Sequence, residues 1–143
     1  MVDKFLLLRK IAELEECFKQ ISEYSDLSVR EYSDNWRTQR IVERTLQMMI
    51  ELCVDTASHI ISDESYRIPK SYADTFKVLY ENGIIEEKLF EKMEKMAKFR
   101  NIVVHHYDKI DEEIVIAILR KDINDFVEYK DAIINMLKKE ESA

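Results

Sequence analysis

The stretch DNWRTQRIVERTLQMMIELCVDTASHIIS, residues 34–62, decides the fold. Its apolar residues recur every three or four positions, which is the period of an α-helix, and it contains neither glycine nor proline. One apolar stripe consists of Val42, Leu46, Met49, Cys53, Ala57 and Ile60. A second stripe on another side consists of Ile41, Met48, Leu52 and Ile61. A helix with two apolar sides packs against other protein on both sides. In so small a domain, a second subunit is one candidate for the packing partner on the second side.

A helix from about Val2 to Tyr24 is predicted before this stretch, and Ser25-Asp26 ends it. Its apolar residues step by four and three positions, as they do in a coiled coil. They are Leu7, Ile11, Leu14, Phe18 and Ile21. The spacing predicts that one side of this helix packs against the core.

Two more helices are predicted after the stretch, beyond a loop that contains Pro69. Ser71-Tyr72-Ala73-Asp74 is typical of a capping box and starts a short helix. Asn82-Gly83 ends it, because glycine favours the left-handed conformation that closes a helix. Glu86-Glu87 complements the positive end of the next helix, which runs into the segment at Arg100.

The last helix is predicted to open at Asp111-Glu112-Glu113, with Tyr129 near the edge of its apolar stripe. That stripe consists of Leu119, Ile123, Phe126, Ile133 and Leu137. Six apolar residues in a row, Ile114–Leu119, have the composition of a strand, but the helical periodicity on both sides favours a helix. Together these elements predict an all-α fold, an up-and-down bundle of about five helices.

The composition agrees with a single helical domain over residues 1–143. The chain has 143 residues, of which 46% are hydrophobic and 36% charged, with one glycine and one proline. So few turn-forming residues favour a small number of long helices over many strands. Cys17 and Cys53 both fall at apolar helical positions and are predicted to be buried thiols in a reducing compartment.

The charge and hydropathy of the chain limit its partners. The net charge is −7, so RNA binding through bulk charge is excluded and any RNA contact rests on a local cluster of Arg and Lys. Such a cluster precedes Arg100 on its helix, although Lys92, Lys95 and Lys98 also fit a solvated face. Neither a signal peptide nor an apolar run of about 20 residues is visible, so we expect a cytoplasmic protein without membrane contact.

Residues 100–107, Arg-Asn-Ile-Val-Val-His-His-Tyr, carry the side chains best suited to chemistry. Arginine matches phosphate oxygens with a permanently charged planar fork, and histidine moves protons near neutral pH. The same residues late in a helix also cap carbonyls or cover the edge of a core, and the spacing alone leaves both interpretations open.

The spacing raises a geometric difficulty for a shared site. On a regular helix Arg100 and Tyr107 share a face, but Arg100 and His105 lie about 140° apart around the axis. Two arrangements resolve this: the β-branched residues after Asn101 loosen the helix, or two copies of the segment face each other across a twofold axis.

The segment Arg100-x4-His105-x-Tyr107 resembles the signature of HepT-type toxins in the HEPN superfamily. Three further stretches are similar to that family: Trp36-x3-Arg40-Ile41-Val42-Glu43-Arg44-x-Leu46-Gln47, Asp55-x3-His59-Ile60-Ile61 and Ile68-Pro69-x2-Tyr72-x3-Phe76-x2-Leu79-x2-Asn82-Gly83-Ile84-Ile85. The resemblance covers about Trp36 to Tyr107, and the order of helices covers the whole chain. It implies a HEPN-like bundle that forms a homodimer or a higher homo-oligomer.

The resemblance also implies a function: an endoribonuclease toxin that needs no metal or other cofactor. Arg100 would hold the phosphate, His105 would act as general base or acid, and Asn101 would orient the site. The partner would be a minimal nucleotidyltransferase antitoxin that adenylylates Tyr107. The substrate would be RNA, and DNA is not expected. The alternative is a non-catalytic HEPN-like module that binds a nucleotide or a nucleotidyltransferase.

Three other polar residues have two interpretations each. His106 lies outside the signature and is either a second proton carrier or a solvent-facing residue at the helix end, which we favour. Asp55 and His59 are one helical turn apart, a spacing that binds metal or forms a local pair. With only two ligands in view, we favour a hydrogen-bonded pair that is buried or faces a second subunit.

Overall fold

The computed structural model describes residues 1–142, which form seven α-helices and no strand. The helices are α1 (Lys4–Ser22), α2 (Val29–Ser33), α3 (Trp36–Asp63), α4 (Tyr72–Glu81), α5 (Glu87–His105), α6 (Glu112–Ala117) and α7 (Asn124–Ser142). A 3₁₀ turn, Tyr107–Lys109, follows α5, and a π-helical segment, Ile118–Asp122, joins α6 to α7. The predicted all-α fold is confirmed, and the five longest helices correspond to the five predicted ones.

Helix α3 is the central element, and its first predicted stripe forms the middle of the core. All six residues of that stripe, from Val42 to Ile60, are fully buried. Helix α1 packs along α3 through its own apolar residues, while α4 and α5 form a hairpin against another side. Burial of these side chains is the main force that holds the bundle together.

Tyr129 of α7 ties the last helix to α3. Its hydroxyl donates a hydrogen bond to the Cys53 carbonyl at 2.8 Å and lies 2.7 Å from Thr56 Oγ1. Its ring meets that of Phe76 edge-on, with the centroids 5.7 Å apart. The side chain is fully buried, although its position is near the edge of the apolar stripe of α7. A buried phenol needs a polar partner, and α3 supplies two.

The predicted boundaries of α4 are confirmed by its caps. The Ser71 hydroxyl accepts a hydrogen bond from the Asp74 backbone at 3.0 Å. At the other end Gly83 has a φ of +73°, and the Ile84 N–H donates to the Leu79 carbonyl at 2.9 Å. This is the Schellman closure, in which a left-handed residue turns the chain back on the helix.

The C-terminal part differs from the single predicted helix. It begins at Glu112 as expected, but the π-helical segment divides it, and α7 begins only at Asn124. The run Ile114–Leu119 is helical rather than extended, as predicted. The short helix α2 was not predicted; Ser28 and Glu31 form its capping box, and Tyr32 anchors it in the core.

Both cysteines are buried free thiols, as predicted, and burial raises the pKa of each. Within residues 1–142 no helix combines the length and apolar character needed to cross a bilayer.

Candidate active site at the end of α5

Arg100 is held in place by contacts with three helices. Its Nη2 lies 3.0 Å from Glu51 Oε2 on α3, and its guanidinium carbon lies 4.5 Å from the centre of the Tyr72 ring on α4. Its Nη1 donates to the side-chain oxygen of Asn101 at 3.3 Å. Only 15% of the side chain is exposed. The planar cation is therefore positioned by an ion pair, a cation–π contact and a hydrogen bond.

Two groups of this site were not assigned to it from the sequence. Glu51 lies 49 residues from Arg100 in the chain, and nothing in its local pattern distinguishes it from a solvated carboxylate. Tyr72 was quoted only as part of a helix cap and of the family resemblance. The packing of α3, α4 and α5 against one another brings Glu51 and Tyr72 to Arg100. A short sequence motif does not reveal such contacts between distant parts of the chain.

The α5 helix stays regular as far as His105. The backbone N–H of His106 donates to the Ile102 carbonyl at 2.8 Å, which is the ordinary α-helical bond. The proposed loosening after Asn101 is therefore wrong. Arg100 and His105 remain about 140° apart around the axis and about 7.5 Å apart along it. Within one chain Arg100 points at α3 and α4, whereas His105 is exposed at the helix end.

Tyr107 lies beyond the helix, in the 3₁₀ turn, and 73% of it is exposed. It therefore does not share a helical face with Arg100, because α5 ends two residues before it. His106 is exposed and lies at the C-cap of α5, which agrees with the favoured solvent-facing position. The three residues His105, His106 and Tyr107 thus form an accessible ridge at one end of the bundle.

Asp55 and His59 do not form the buried pair favoured from their spacing. The Asp55 side chain is 54% exposed, and one of its oxygens lies 3.7 Å from the Lys10 ammonium of α1. His59 is half-buried. Within residues 1–142 no group of three metal-ligating side chains comes together. A position facing a second subunit stays a prediction for this pair.

The lysines that precede Arg100 do not all face its site. The Lys92 ammonium lies 3.1 Å from Glu128 and 3.8 Å from Asp125, both on α7, and the bonds to Glu128 raise the pKa of Lys92. Lys98 lies 3.9 Å from Glu94 on its own helix. Two of these cations are therefore paired with carboxylates of the same chain.

The family description "Ribonuclease HepT-like" matches residues 14–133, which include Arg100, His105 and Tyr107. This chain belongs to the HepT-like ribonuclease family. It is 33% identical over 129 residues to the mRNA nuclease HepT of Shewanella oneidensis, a match that covers 90% of this chain and 96% of that protein. It is 30% identical over 94 residues to the tRNA nuclease HepT of Aphanizomenon flos-aquae, covering 64% and 62% of the two.

The same family similarity is found at the level of structure. The chain superposes with a TM-score of 0.85 on the tri-AMPylated Shewanella oneidensis HEPN toxin, solved in complex with an MNT antitoxin. The sequences are 32% identical, and the match covers 94% of this chain and 99% of the toxin. The bundle described above is thus the HEPN fold.

Proposed function

We propose that this protein is an endoribonuclease toxin that cleaves RNA without a metal ion, in a cleft built from two copies of the α5 segment. Arg100 and His105 carry the reaction, and Asn101 orients Arg100. A nucleotidyltransferase antitoxin neutralises the toxin by adenylylating Tyr107. The observation that carries the proposal is the family match across residues 14–133 together with the restrained Arg100 on a regular α5.

The geometry of α5 supports a cleft shared by two copies. One unbroken helix separates Arg100 and His105 by about 140°, so the two side chains do not converge within a chain. A twofold axis near the end of α5 brings Arg100 of one copy towards His105 of the other, and the same operation repeats the site. Each copy then supplies what the other lacks.

In this cleft the 2′-hydroxyl of RNA attacks the adjacent phosphorus while the bond to the 5′-oxygen of the next nucleotide breaks. The products are a 2′,3′-cyclic phosphate and a free 5′-hydroxyl. His105 removes the 2′ proton or delivers a proton to the leaving oxygen, and solvent water carries the other proton. Arg100 stabilises the negative charge that grows on the non-bridging oxygens.

The exposure of Tyr107 supports its role as the modified residue. Its ring is 73% exposed and follows directly after the two histidines. A transferred adenylyl group would add bulk and negative charge beside the cleft. RNA would then be excluded by occlusion and by repulsion of its phosphates, as in inhibition by phosphorylation. The AMPylated toxin from Shewanella oneidensis supports this proposal by family similarity.

The cleavage test compares wild type, Arg100→Ala and His105→Ala on RNA in the presence of EDTA. We expect cleavage by wild type and a loss of about 100-fold or more in each variant, as for a general acid–base residue. Arg30→Ala is the matched control, because Arg30 is an exposed arginine of α2 far along the chain from α5. Equal rates in all four proteins would refute the proposal.

The toxin assignment has its own test, which also separates it from a non-catalytic binding module. Expression without the nucleotidyltransferase should arrest growth, and His105→Ala should abolish the arrest. Co-expression of the nucleotidyltransferase should restore growth only when Tyr107 is present, so Tyr107→Phe should stay toxic. Absence of growth arrest with intact nucleotidyltransferase binding would instead establish the binding module.

A further inference from the structure

The only tryptophan of the chain, Trp36, is the first residue of α3, and 65% of it is exposed. The guanidinium carbon of Arg37 lies 5.5 Å from the centre of its ring. Arg40, one turn further on, is paired with Glu43 at 2.7 Å. Within residues 1–142 Arg37 has no such ion-pair partner. The central helix thus begins with an open indole ring beside an uncompensated cation.

Trp36 lies at the end of the bundle where α5 also ends. Arg100 of α5 pairs with Glu51, in the middle of α3. Beyond the end of α5, Glu112 accepts a hydrogen bond from the hydroxyl of Ser33, just before α3 begins. The C-terminus of α5 therefore points towards the start of α3, and the two helices run in opposite directions.

Helix geometry places Trp36 about 15 Å from His105 along the bundle. On α3, Trp36 lies about 22 Å from Glu51. His105 is about 7.5 Å further along α5 than Arg100, in the direction of Trp36. Val54 has the same angle around α3 as Trp36, because 18 residues make five turns, and Val54 is buried. Trp36 thus continues the covered side of α3 past the end of α5, and its ring borders the open surface beyond His105.

A base of RNA fits Trp36 better than a second protein chain does. Protein contacts are built on contiguous apolar surface, but the exposed apolar residues Ile41 and Met48 lie about 140° and 120° around α3 from Trp36. Stacking of a nucleobase needs one aromatic face, and a cation beside it strengthens the contact. Trp36 supplies the aromatic face, and Arg37 supplies the charge for the adjoining phosphate.

We propose that Trp36 is a stacking platform for a base of the RNA substrate, a few nucleotides from the phosphate that is cleaved, and that Arg37 binds the phosphate next to that base. The inference rests on the proposed function and deepens it, because it adds a binding subsite to the cleft at α5. Every base has a face that stacks, so the platform raises the affinity for single-stranded RNA without selecting a sequence. Bases already stacked within an RNA duplex do not reach it.

The fluorescence of the single tryptophan tests this directly, because a base stacked on Trp36 quenches its emission. The full-length protein carrying His105→Ala, which prevents cleavage, is titrated with a single-stranded RNA oligonucleotide of mixed sequence. A second titration uses inorganic polyphosphate, which has the negative charge of RNA but no bases. RNA should quench the emission as it binds, and polyphosphate should not.

Substitutions of Trp36 separate stacking from apolar contact. In the same His105→Ala background, the dissociation constant is measured by fluorescence anisotropy of end-labelled RNA. Trp36→Ala and Trp36→Leu should each raise it about fivefold or more, while Trp36→Phe should stay within about threefold. Phe5→Ala is the control, because Phe5 is 85% exposed near the opposite end of α3 and should not affect RNA binding.

Arg37→Gln tests the phosphate contact. It should reduce the slope of log affinity against log salt by about 0.7, the value for one phosphate of a single strand. Circular dichroism verifies that each variant keeps its helices.

Three outcomes would overturn the platform. One is RNA binding without quenching of Trp36, and another is a Trp36→Leu protein that binds RNA as tightly as its parent. The third is a Trp36→Ala protein whose oligomeric state, measured by sedimentation velocity without RNA, differs from that of its parent. That result would assign the ring to a protein contact instead.

The outcome is separable from that of the cleavage test. RNA that quenches Trp36 but is not cut by wild type would refute the ribonuclease and leave the platform standing. Cleavage by wild type, with an unchanged KM in Trp36→Ala, would refute the platform alone.

Discussion

Arg100, the cation that we propose to be catalytic, is restrained by three contacts within its own chain. Glu51 compensates its charge, Tyr72 covers one face of the guanidinium, and Asn101 bonds to its edge. Its Nε is buried without a hydrogen-bond partner among the described residues. The guanidinium thus has a fixed orientation, and a phosphate bound there would compete with Glu51 for the terminal nitrogens.

Glu51 should therefore set the affinity of Arg100 for phosphate. Glu51→Gln keeps an oxygen that accepts from Arg100 but removes the competing charge. Because a charge-assisted bond is about twice as strong as a neutral one, RNA should bind roughly threefold to tenfold tighter. The measurement is the dissociation constant for RNA in the His105→Ala background, which prevents cleavage.

Glu51→Ala is the contrasting variant. It removes the charge and also the acceptor that orients Arg100, so kcat should fall while the Gln variant retains it. A Gln variant that binds RNA more weakly than wild type would refute the competition between Glu51 and phosphate.

Asp125 gives the molecule a pH-dependent stability. It is 8% exposed, and burial raises its pKa to about 6 despite the ammonium of Lys92 3.8 Å away. Between about pH 4 and 6 the folded chain holds a proton that the unfolded chain has released. The free energy of unfolding therefore falls as pH rises through this window, and the penalty is constant above it.

Asp125→Asn should remove that dependence. The variant should be more stable than wild type at pH 7.5 by on the order of 2 kcal/mol, and this advantage should shrink towards pH 4. Urea unfolding at the two pH values measures the difference. Asp131→Asn, an exposed carboxylate on the same helix, is the control and should show no such change. An advantage of equal size at both pH values would contradict the proposed cause.

At the scale of elements, the predictable features are those encoded within a few residues. The period of α3 and the Ser71 and Gly83 caps of α4 are local patterns, and each was identified from the sequence. The break at Ile118–Asp122 and the end of α5 at His105 were not. Neither boundary has a glycine or proline to mark it in the sequence. Both depend on how the C-terminal helices pack against the rest of the bundle, and helix ends are the least predictable part of a helix.

Within residues 1–142, two residues with left-handed backbone conformation offer a matched pair of substitutions. Ser65 follows α3 with a φ of +56°, and Gly83 follows α4 with a φ of +73°. At both, the next N–H bonds back to the helix, Tyr66 to Ile61 and Ile84 to Leu79, each at 2.9 Å. The two helix ends are closed in the same way. Only α4 uses glycine, the residue that adopts this conformation without steric cost.

Ser65→Gly should therefore stabilise the protein by about 0.5 kcal/mol, the strain relieved less the entropy that glycine adds to the unfolded chain. Gly83→Ala should destabilise it by about 1 kcal/mol. No atom lies within 4 Å of a Cβ built at Gly83, so that loss reflects backbone conformation alone. Urea denaturation measures both, and a stabilising Gly83→Ala would refute the argument.

At the scale of the whole molecule, the sequence predicted candidate reactive side chains but not their surroundings. Arg100, His105 and Tyr107 were predicted from one segment. Glu51 joins Arg100 only through the packing of α3 against α5. The angle between Arg100 and His105 was also predictable, because it follows from helix geometry. Because α5 is unbroken, the two side chains do not converge within one chain, and we therefore propose the shared cleft.

A shared cleft predicts complementation between two inactive proteins. In a dimer of one Arg100→Ala chain and one His105→Ala chain, one cleft lacks both residues and the other has both. Random pairing of equal amounts should therefore restore about a quarter of wild-type cleavage, since half the dimers are mixed and each has one of two sites intact. If each site were complete within one chain, no mixture of the two variants would cleave RNA, because every chain lacks one of the two residues.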